Sequence, residues 1–232
     1  MLISLCACSK TVSTGTATGN GDTNNESINE NQGENSTVNY EAKDTTKLID
    51  IGEIKAPGKE KADKAYQERE PKDGDMIAIL HTSFGDISMR FLEEAAPLAC
   101  ASFIALAKEG RYDNTIFHRV INNFMIQGGD YTNYNGTGGE SAFGEEFDLE
   151  IAEGIGNIEG SVAMANRGPG TNGSQFYINQ IDNAYLDGNY TVFAQVFDGM
   201  DVVNDIAVTN TDSSDKPLVD VVLQSIDIEE YK

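Results

Sequence analysis

The stretch Phe117–Asp130 reads FHRVINNFMIQGGD, and it predicts two short β-strands that lie next to each other. Its unusual member is Arg119, which stands in a run of mostly apolar residues. Side chains alternate between the two faces of a strand, so Arg119 points away from its neighbours His118 and Val120. A surface salt bridge would explain this arginine, and ordinary core packing would explain Phe124 and Met125. Taken alone, the stretch indicates a strand pair with one arginine, and the role of that arginine must be inferred from other parts of the sequence.

The rest of the chain predicts a β-rich domain with two helices. Residues 83–86 (SFGD) separate two β-like runs and predict a hairpin. Pro97 opens a helix that ends near Gly110, and a second helix is expected over Asp198–Ile206. Many short strands with few helices favour a closed or nearly closed antiparallel barrel, because closure leaves no exposed edge. Besides those of the opening stretch, the expected strands are Met76–Thr82, Ile87–Phe91, Ser161–Ala165, Gln175–Asn179, Val192–Val196 and Val219–Ile228.

The composition excludes several classes of function. The 232 residues include 16 Lys and Arg against 38 Asp and Glu, a formal net charge of −22, which disfavours binding to nucleic acid. Two histidines and three cysteines show no spacing typical of metal ligands, so no metal site is expected. Cys100 lies in an apolar run and is expected to be a small core residue.

The N-terminal part predicts an anchored layout. Residues 1–8 (MLISLCAC) are similar to the end of a bacterial lipoprotein signal, which makes Cys8 the candidate for lipidation. The following segment is rich in Ser, Thr, Asn and Gly and has few large apolar side chains, so it is expected to be a disordered tether. The predicted order is therefore a truncated signal remnant (1–8), a polar tether (9–54), a charged connector (55–73) with a short exposed helix within 59–69, and a folded domain (74–232).

Two further patterns bear on possible chemistry. Residues 168–173 (GPGTNG) match the glycine spacing of a dinucleotide-binding loop, but the residues that follow are strand-like, whereas that loop must open a helix. A Ser-His-Asp hydrolase is poorly supported, because the chain has no G-x-S-x-G motif. No cofactor is expected from either pattern.

Four blocks together resemble the cyclophilin family of peptidyl-prolyl cis/trans isomerases. They are the opening stretch, Met164–Ile178 (MANRGPGTNGSQFYI), Asn135–Gly144 (NGTGGESAFG) and Tyr185–Phe193 (YLDGNYTVF), which follow the family's order and spacing. The resemblance covers about residues 74–230. It implies a mainly β fold, an eight-stranded closed antiparallel barrel capped by two α-helices.

The resemblance also implies roles for particular residues. Arg119 would be the catalytic arginine and Gln127 would support it. A proline ring would enter an apolar pocket, and Gly136, Thr137 and Arg167 would border the site for the residues before the proline. Three aromatic positions depart from the best-known eukaryotic pattern: Tyr177 for Phe, Tyr185 for Trp and Tyr190 for His. The full set of expected substrate-binding residues is Phe124, Met125, Gly136, Thr137, Asn166, Arg167, Gln175, Tyr177, Tyr185, Leu186 and Tyr190.

The expected function is isomerisation of X-Pro bonds in secreted polypeptides. The clients would be proline-containing polypeptides. The enzyme would be a monomer outside the bacterial cytoplasmic membrane, attached to that membrane only through a lipid on Cys8. One alternative is a binding or chaperone module on the cell surface that holds proline-containing segments without turnover. Another is a structural surface lipoprotein with a vestigial domain, which would neither turn over nor bind such peptides.

Overall fold

The computed structural model of the chain describes residues 49, 51 and 60–232. The lipidation candidate Cys8 lies outside the described residues, as does most of the predicted tether over 9–54. Within the described part, no helix has both the length and the apolar character that crossing a bilayer requires.

The sheet begins with the predicted hairpin. Strands β1 (Met76–Thr82) and β2 (Gly85–Phe91) pair antiparallel from Ile77 opposite Arg90 to Thr82 opposite Gly85. Only two residues connect them, and Thr82 accepts a hydrogen bond from the Phe84 N–H through its hydroxyl at 3.1 Å. Gly85 has φ +135°, a backbone conformation that L side chains rarely adopt, so glycine is what allows so tight a turn here.

The strands that follow are β3 (Thr115–Ile116), β4 (Arg119–Ile121), β5 (Met125–Gly128), β6 (Ser161–Met164), β7 (Phe176–Asn179), β8 (Val192–Asp198) and β9 (Val222–Glu230). The nine strands in the described part form one antiparallel sheet that curls into a half-barrel, in the order β3-β9-β1-β2-β8-β6-β7-β5-β4. The mainly β antiparallel architecture is confirmed, whereas the closed, eight-stranded detail is wrong. The additional strand is Thr115–Ile116, which pairs with the first two residues of β9, while Arg119–Ile121 pairs with β5. Phe117 and His118 lie between these two edge strands and interrupt the ladder.

The two predicted helices are present as α2 (Pro97–Lys108) and α3 (Met200–Ala207). Pro97 stands in the first turn of α2, where its missing N–H costs nothing. The free N–H groups of Leu98 and Ala99 donate to the carboxylate of Glu150, each at 2.9 Å, so a distant loop caps this helix. Phe103 of α2 is fully buried and fixes the helix against the sheet.

Each face of the sheet carries its own apolar cluster. Alternate residues such as Val120, Ile126 and Ile178 point into the main core, which α2 and α3 cover. Their neighbours Met125 and Tyr177 point to the opposite face and form a second cluster there. The residues expected to bind proline therefore lie on the outside of the half-barrel, backed by a rigid sheet.

A short helix, α1 (Lys64–Glu68), precedes the sheet within the charged connector predicted for 55–73. Its expected exposure is only partly correct. Tyr66 and Gln67 are buried, with 6% and 1% of their surface exposed. Tyr66 belongs to the outer cluster together with Met125 and Tyr177, because a large aromatic ring finds more apolar contact there than in solvent.

Candidate active site

A cross-strand row places the principal candidates side by side. Arg119 of β4 lies opposite Gln127 of β5, Gln127 lies opposite Tyr177 of β7, and Tyr177 lies opposite Ala163 of β6. Directly opposed residues in a sheet project to the same face, with their Cβ atoms about 4.5–5.5 Å apart. The sheet thus aligns a cation, an amide, an aromatic ring and a small apolar residue along one surface.

An apolar cluster, the candidate proline pocket, adjoins this row. Met125 and Tyr177 are almost fully buried in it, and Phe124, Leu186 and Tyr190 pack around them. The rings of Tyr177 and Tyr190 meet edge to face, with centroids 5.6 Å apart. Phe124 stacks on Tyr185 at 6.2 Å, although 70% of the Tyr185 surface is exposed. Burial raises the pKa of the Tyr177 hydroxyl, so this group remains a hydrogen-bond donor at physiological pH.

Arg119 is half-exposed at the edge of the sheet. Its Nε lies 3.5 Å from a carboxylate oxygen of Asp215. The backbone carbonyl of Asp215 also accepts the Val120 N–H at 2.8 Å, so the loop that carries Asp215 is attached to β4. An anchor at Nε leaves the two terminal nitrogens of the guanidinium outside this ion pair.

Two glutamines connect the row to the glycine-rich loop. Gln127 donates through Nε2 to Oε1 of Gln175 at 3.0 Å. Gln175 in turn donates to the carbonyls of Gly136 and Gly138, at 2.9 and 2.7 Å. These bonds fix both amides, so the side chain of Gln127 has a single orientation beside Arg119.

The glycine-rich loop is organised around Asp130, which is 1% exposed. Its carboxylate accepts backbone N–H groups along 132–138, among them those of Asn133 at 2.9 Å and Gly136 at 2.8 Å. Burial opposes ionisation of this carboxyl, but the backbone donors outweigh it and lower the pKa of Asp130. A buried anion thereby holds Gly136 and Thr137 at the border of the site.

Two cavities extend from the row on its polar side. The smaller, about 100 Å³, is lined by Gln127, Gln175, Asn166 and Arg167 among others. The larger, about 540 Å³, is bordered by Thr137 and Arg167. Asn166 donates to the carbonyl of Asn189 at 3.0 Å, and exposed Arg167 is paired with Glu146. The polar candidates therefore line cavities that begin at Gln127 of the cross-strand row.

Comparison with protein-family models identifies the family of the chain that carries this surface. The family model described as "Cyclophilin type peptidyl-prolyl cis-trans isomerase/CLD" matches residues 77–228. The chain belongs to the cyclophilin-type peptidyl-prolyl cis-trans isomerases. This result confirms the family and the enzyme class that the sequence motifs indicated.

Relatives of this cyclophilin agree with that assignment. A protein of Staphylococcus aureus (strain USA300), provisionally named a peptidyl-prolyl cis-trans isomerase, is 41% identical over 190 residues, covering 70% of this chain and 96% of its own. Peptidyl-prolyl cis-trans isomerase 9 of Schizosaccharomyces pombe is 47% identical over 152 residues, 65% of this chain and 25% of its own. The crystal structure of a Cryptosporidium parvum cyclophilin-type isomerase is 36% identical and superimposes with a TM-score of 0.66, over 68% of this chain and 99% of its own. A second crystal structure of that protein was obtained in the presence of the dipeptide Ala-Pro, with a TM-score of 0.64.

Sequence reasoning missed several residues that shape the site of this cyclophilin. Asp215 anchors Arg119, and Asn157, Asn183 and Asp187 form hydrogen bonds around the apolar pocket. Asn157, Asn183 and Asp215 lie in loops outside the predicted blocks, whereas Asp187 stands inside the block Tyr185–Phe193 but was given no role there. A buried asparagine in a loop gives no periodic signal, so only the fold could have found them. Within the described part of the chain, no group of three or more His, Cys, Asp or Glu side chains is placed to hold a metal ion.

Proposed function

We propose that this cyclophilin isomerises X-Pro bonds in secreted polypeptides outside the bacterial cytoplasmic membrane, with Arg119 as its catalytic residue. The observation that carries the catalytic proposal is the cross-strand row. It brings a guanidinium into register with Gln127 and with an apolar pocket of the kind a proline ring would fill. A relative's crystal structure was obtained in the presence of the dipeptide Ala-Pro, which supports proline-containing clients.

The chemistry explains why an arginine is needed. Rotation about an amide C–N bond meets a barrier of about 18–20 kcal/mol, because twisting removes the resonance. In the twisted state the prolyl nitrogen becomes pyramidal and regains a lone pair. An N–H of Arg119 aimed at that lone pair stabilises the transition state more than either planar isomer, which is the requirement for catalysis. No proton has to leave the substrate in this mechanism.

The other residues would contact different parts of the bound substrate. Phe124, Met125, Tyr177, Leu186 and Tyr190 would enclose the proline ring, with Tyr185 at the exposed rim. Gln127 would hydrogen-bond the substrate beside Arg119, in the orientation that Gln175 imposes. Gly136, Thr137, Asn166 and Arg167 would contact the residues that precede the proline. Fixing the chain on both sides of the X-Pro bond leaves rotation of that bond as the main freedom of the bound peptide.

The site of action is proposed from the sequence. The residues around Cys8 are similar to a lipidation site, and the polar segment 9–54 has the composition of a tether. Uncatalysed X-Pro isomerisation takes about 10–100 s and limits the folding of many proteins, so a secreting cell benefits from an isomerase at its surface. Mass spectrometry of the native membrane fraction should find a lipid on Cys8. An unmodified Cys8 in a soluble fraction would contradict the anchor.

The isomerase proposal is tested with a chromogenic X-Pro-Phe peptide that chymotrypsin cleaves only in the trans form. The wild-type chain should accelerate the slow phase of cleavage. Arg119→Ala should lower kcat/KM about a hundredfold, because one preorganised donor to the transition state is removed. Arg119→Lys keeps the charge but loses the planar fork, so it should restore only part of the rate.

Binding of the same peptide separates the alternatives. Peptide binding without turnover in the wild type would identify a holding module, and absence of both would identify a vestigial domain. Turnover that is unchanged in Arg119→Ala would refute the mechanism while leaving the activity intact.

A further inference from the structure

Four buried polar side chains form a cluster directly behind the apolar pocket. Asn157, Asn179, Asn183 and Tyr177 are each at most 4% exposed. The Tyr177 hydroxyl donates to Oδ1 of Asn157 at 2.7 Å, and Asn179 donates to the same oxygen at 3.3 Å. Asn183 donates to Oδ1 of Asn179 at 2.7 Å. Burying polar groups is favourable only when they are paired, so such a cluster constrains geometry more strongly than an apolar core of the same size.

The bonds of this cluster end on separate parts of the pocket. Both the backbone N–H and Nδ2 of Asn157 donate to Oδ1 of Asp187, at 2.7 and 3.1 Å. Asp187 directly follows the 3-10 turn Ala184–Leu186, which carries two of the pocket side chains. Asn183 donates to the backbone carbonyl of Phe124 at 3.1 Å. The cluster therefore connects three parts of the proposed proline pocket: Tyr177, the turn Ala184–Leu186 and Phe124.

Asn157 is itself held by a residue of the connector. Oε1 of Gln67 accepts the Gly156 N–H at 3.0 Å, and Nε2 of Gln67 donates to the Gly156 carbonyl at 2.8 Å. Gln67 is thus bonded to both backbone groups of the residue before Asn157. Buried Arg90 donates to the carbonyls of Tyr66 and Gln67, at 2.5 and 3.2 Å, which fixes α1 on the sheet. This helix lies before residue 77, where the match to the family begins.

We propose that Asn157 and Gln67 are positioning residues of the active site, through which the connector sets the shape of the proline pocket. Asn157 acts on the pocket through the hydroxyl of Tyr177 and the carboxylate of Asp187. Gln67 acts one step further away, by holding the backbone from which Asn157 projects. A pocket with a phenylalanine in place of Tyr177 would have no hydroxyl to donate to Asn157, so this arrangement depends on the tyrosine. The inference rests on the proposed function, because it assigns both residues to the same site.

The test compares Asn157→Ala and Gln67→Ala with the wild type in the full chain. Gln224→Ala serves as the matched control, because Gln224 is an exposed glutamine on β9. For each variant, kcat and KM in the coupled assay, the Kd of a proline-containing peptide, and Tm are measured, with activity taken well below Tm. Misplacing a pocket by about 1 Å can cost up to a hundredfold in rate, so we expect kcat/KM to fall about tenfold for Asn157→Ala and about threefold for Gln67→Ala. Gln224→Ala should match the wild type.

A double-mutant cycle separates positioning from general stability. If Asn157 acts through the Tyr177 hydroxyl, Asn157→Ala combined with Tyr177→Phe should lose no more activity than Asn157→Ala alone. A lowered Tm with wild-type kcat/KM and Kd in both single variants would overturn the inference, as would fully additive losses in the cycle. If Asn157→Ala does not fold, Gln67→Ala decides by the same criterion. If the wild type shows no turnover, the proposed function fails, and the Kd comparison still decides the inference.

Discussion

At the scale of single residues, Arg119 depends on a partner from a distant loop. An isolated arginine at a sheet edge samples many rotamers, and each fixed contact removes some of them. The Asp215 carboxylate lies 3.5 Å from Nε of Arg119, and both side chains are about two-fifths exposed. An ion pair of this exposure contributes little to the stability of the fold. We therefore propose that the pair serves to orient the guanidinium.

We expect Asp215→Asn to lower kcat/KM about two- to fivefold, with little change in Tm, because an exposed pair contributes about 0.2–1 kcal/mol. The coupled isomerase assay measures this directly. The loss should shrink in high salt, since mobile ions screen an exposed pair in the wild type as well. Asp73→Asn removes the same charge from an exposed position near the start of β1 and should leave the rate unchanged. A loss that is the same in both variants would point to net charge instead of orientation.

Residues differ in how far the sequence could predict their place. Arg119, Gln127 and Tyr177 stand in recognisable blocks, and strand alternation already gave Arg119 a face different from that of Val120. Their common row required the strand register, which pairs segments far apart in the sequence. The roles of Asp215 and Asn157 could not be predicted from the sequence, because their partners lie on other elements and neither residue lies in a motif. Hydrogen bonds between loops are decided by the tertiary fold and leave no periodic trace in the sequence.

At the scale of elements, the glycine-rich loop depends on one buried carboxylate. Asp130→Asn should destabilise the protein by about 2–4 kcal/mol, because the amide offers one acceptor oxygen to several N–H donors and presents its own NH₂ to the others. Urea unfolding at neutral pH measures this loss, and KM for the proline peptide should rise as Gly136 and Thr137 lose their support. Asp205→Asn, exposed on α3, is the control.

The acid side of the stability curve gives a second measurement on the same loop. The pKa of Asp130 in the folded protein is below its ordinary value of 3.8. Its contribution is therefore present above pH 3.8 and is lost as the pH falls through the folded pKa. The wild type should lose stability in that range more steeply than Asp130→Asn. Parallel curves for the two proteins would mean that the carboxylate is not what holds the loop.

Elements with strong local signals were predictable, and elements defined by pairing were not. The hairpin over 76–91 and helix α2 follow from a turn sequence and from Pro97, and the structure has both. Strand Thr115–Ile116 is two residues long and exists only because it meets β9. Helix α1 was expected to be exposed because its sequence is charged, yet Tyr66 and Gln67 turn inward. One aromatic residue and one amide among charged neighbours are too few to reveal a buried face.

At the scale of the whole molecule, the strongly acidic chain places its two histidines in opposite environments. His81 lies between Asp86 and Asp227, with ring nitrogens 2.9 and 3.2 Å from their carboxylates, and these hydrogen bonds raise its pKa. His118 is 6% exposed, and burial lowers its pKa despite the opposing charge of Asp130. A titration should therefore separate into one group above and one group below the ordinary value of 6.5.

These directions fix the signs of two contributions to stability. The stabilisation from His81 is fully present below pH 6.5 and is lost as the pH rises through its folded pKa, and it is small because both carboxylate partners are exposed. The contribution of His118 is present above pH 6.5 and is lost as the pH falls towards its folded pKa. In that range the unfolded chain is protonated at His118, whereas the buried ring of the folded protein is still neutral. We therefore expect the wild type to lose stability on acidification from pH 7 to pH 5.

Two-dimensional NMR of the imidazole Cε1–H signals tests this prediction, with His81→Gln used to assign the two resonances. The signal that remains in His81→Gln should titrate below 6.5, and the Tm of this variant should still fall between pH 7 and pH 5. If both histidines titrated together at 6.5, His118 would be solvated. The interrupted segment between β3 and β4, which carries His118 immediately before Arg119, would then be open to water instead of packed against the glycine-rich loop at Gly136.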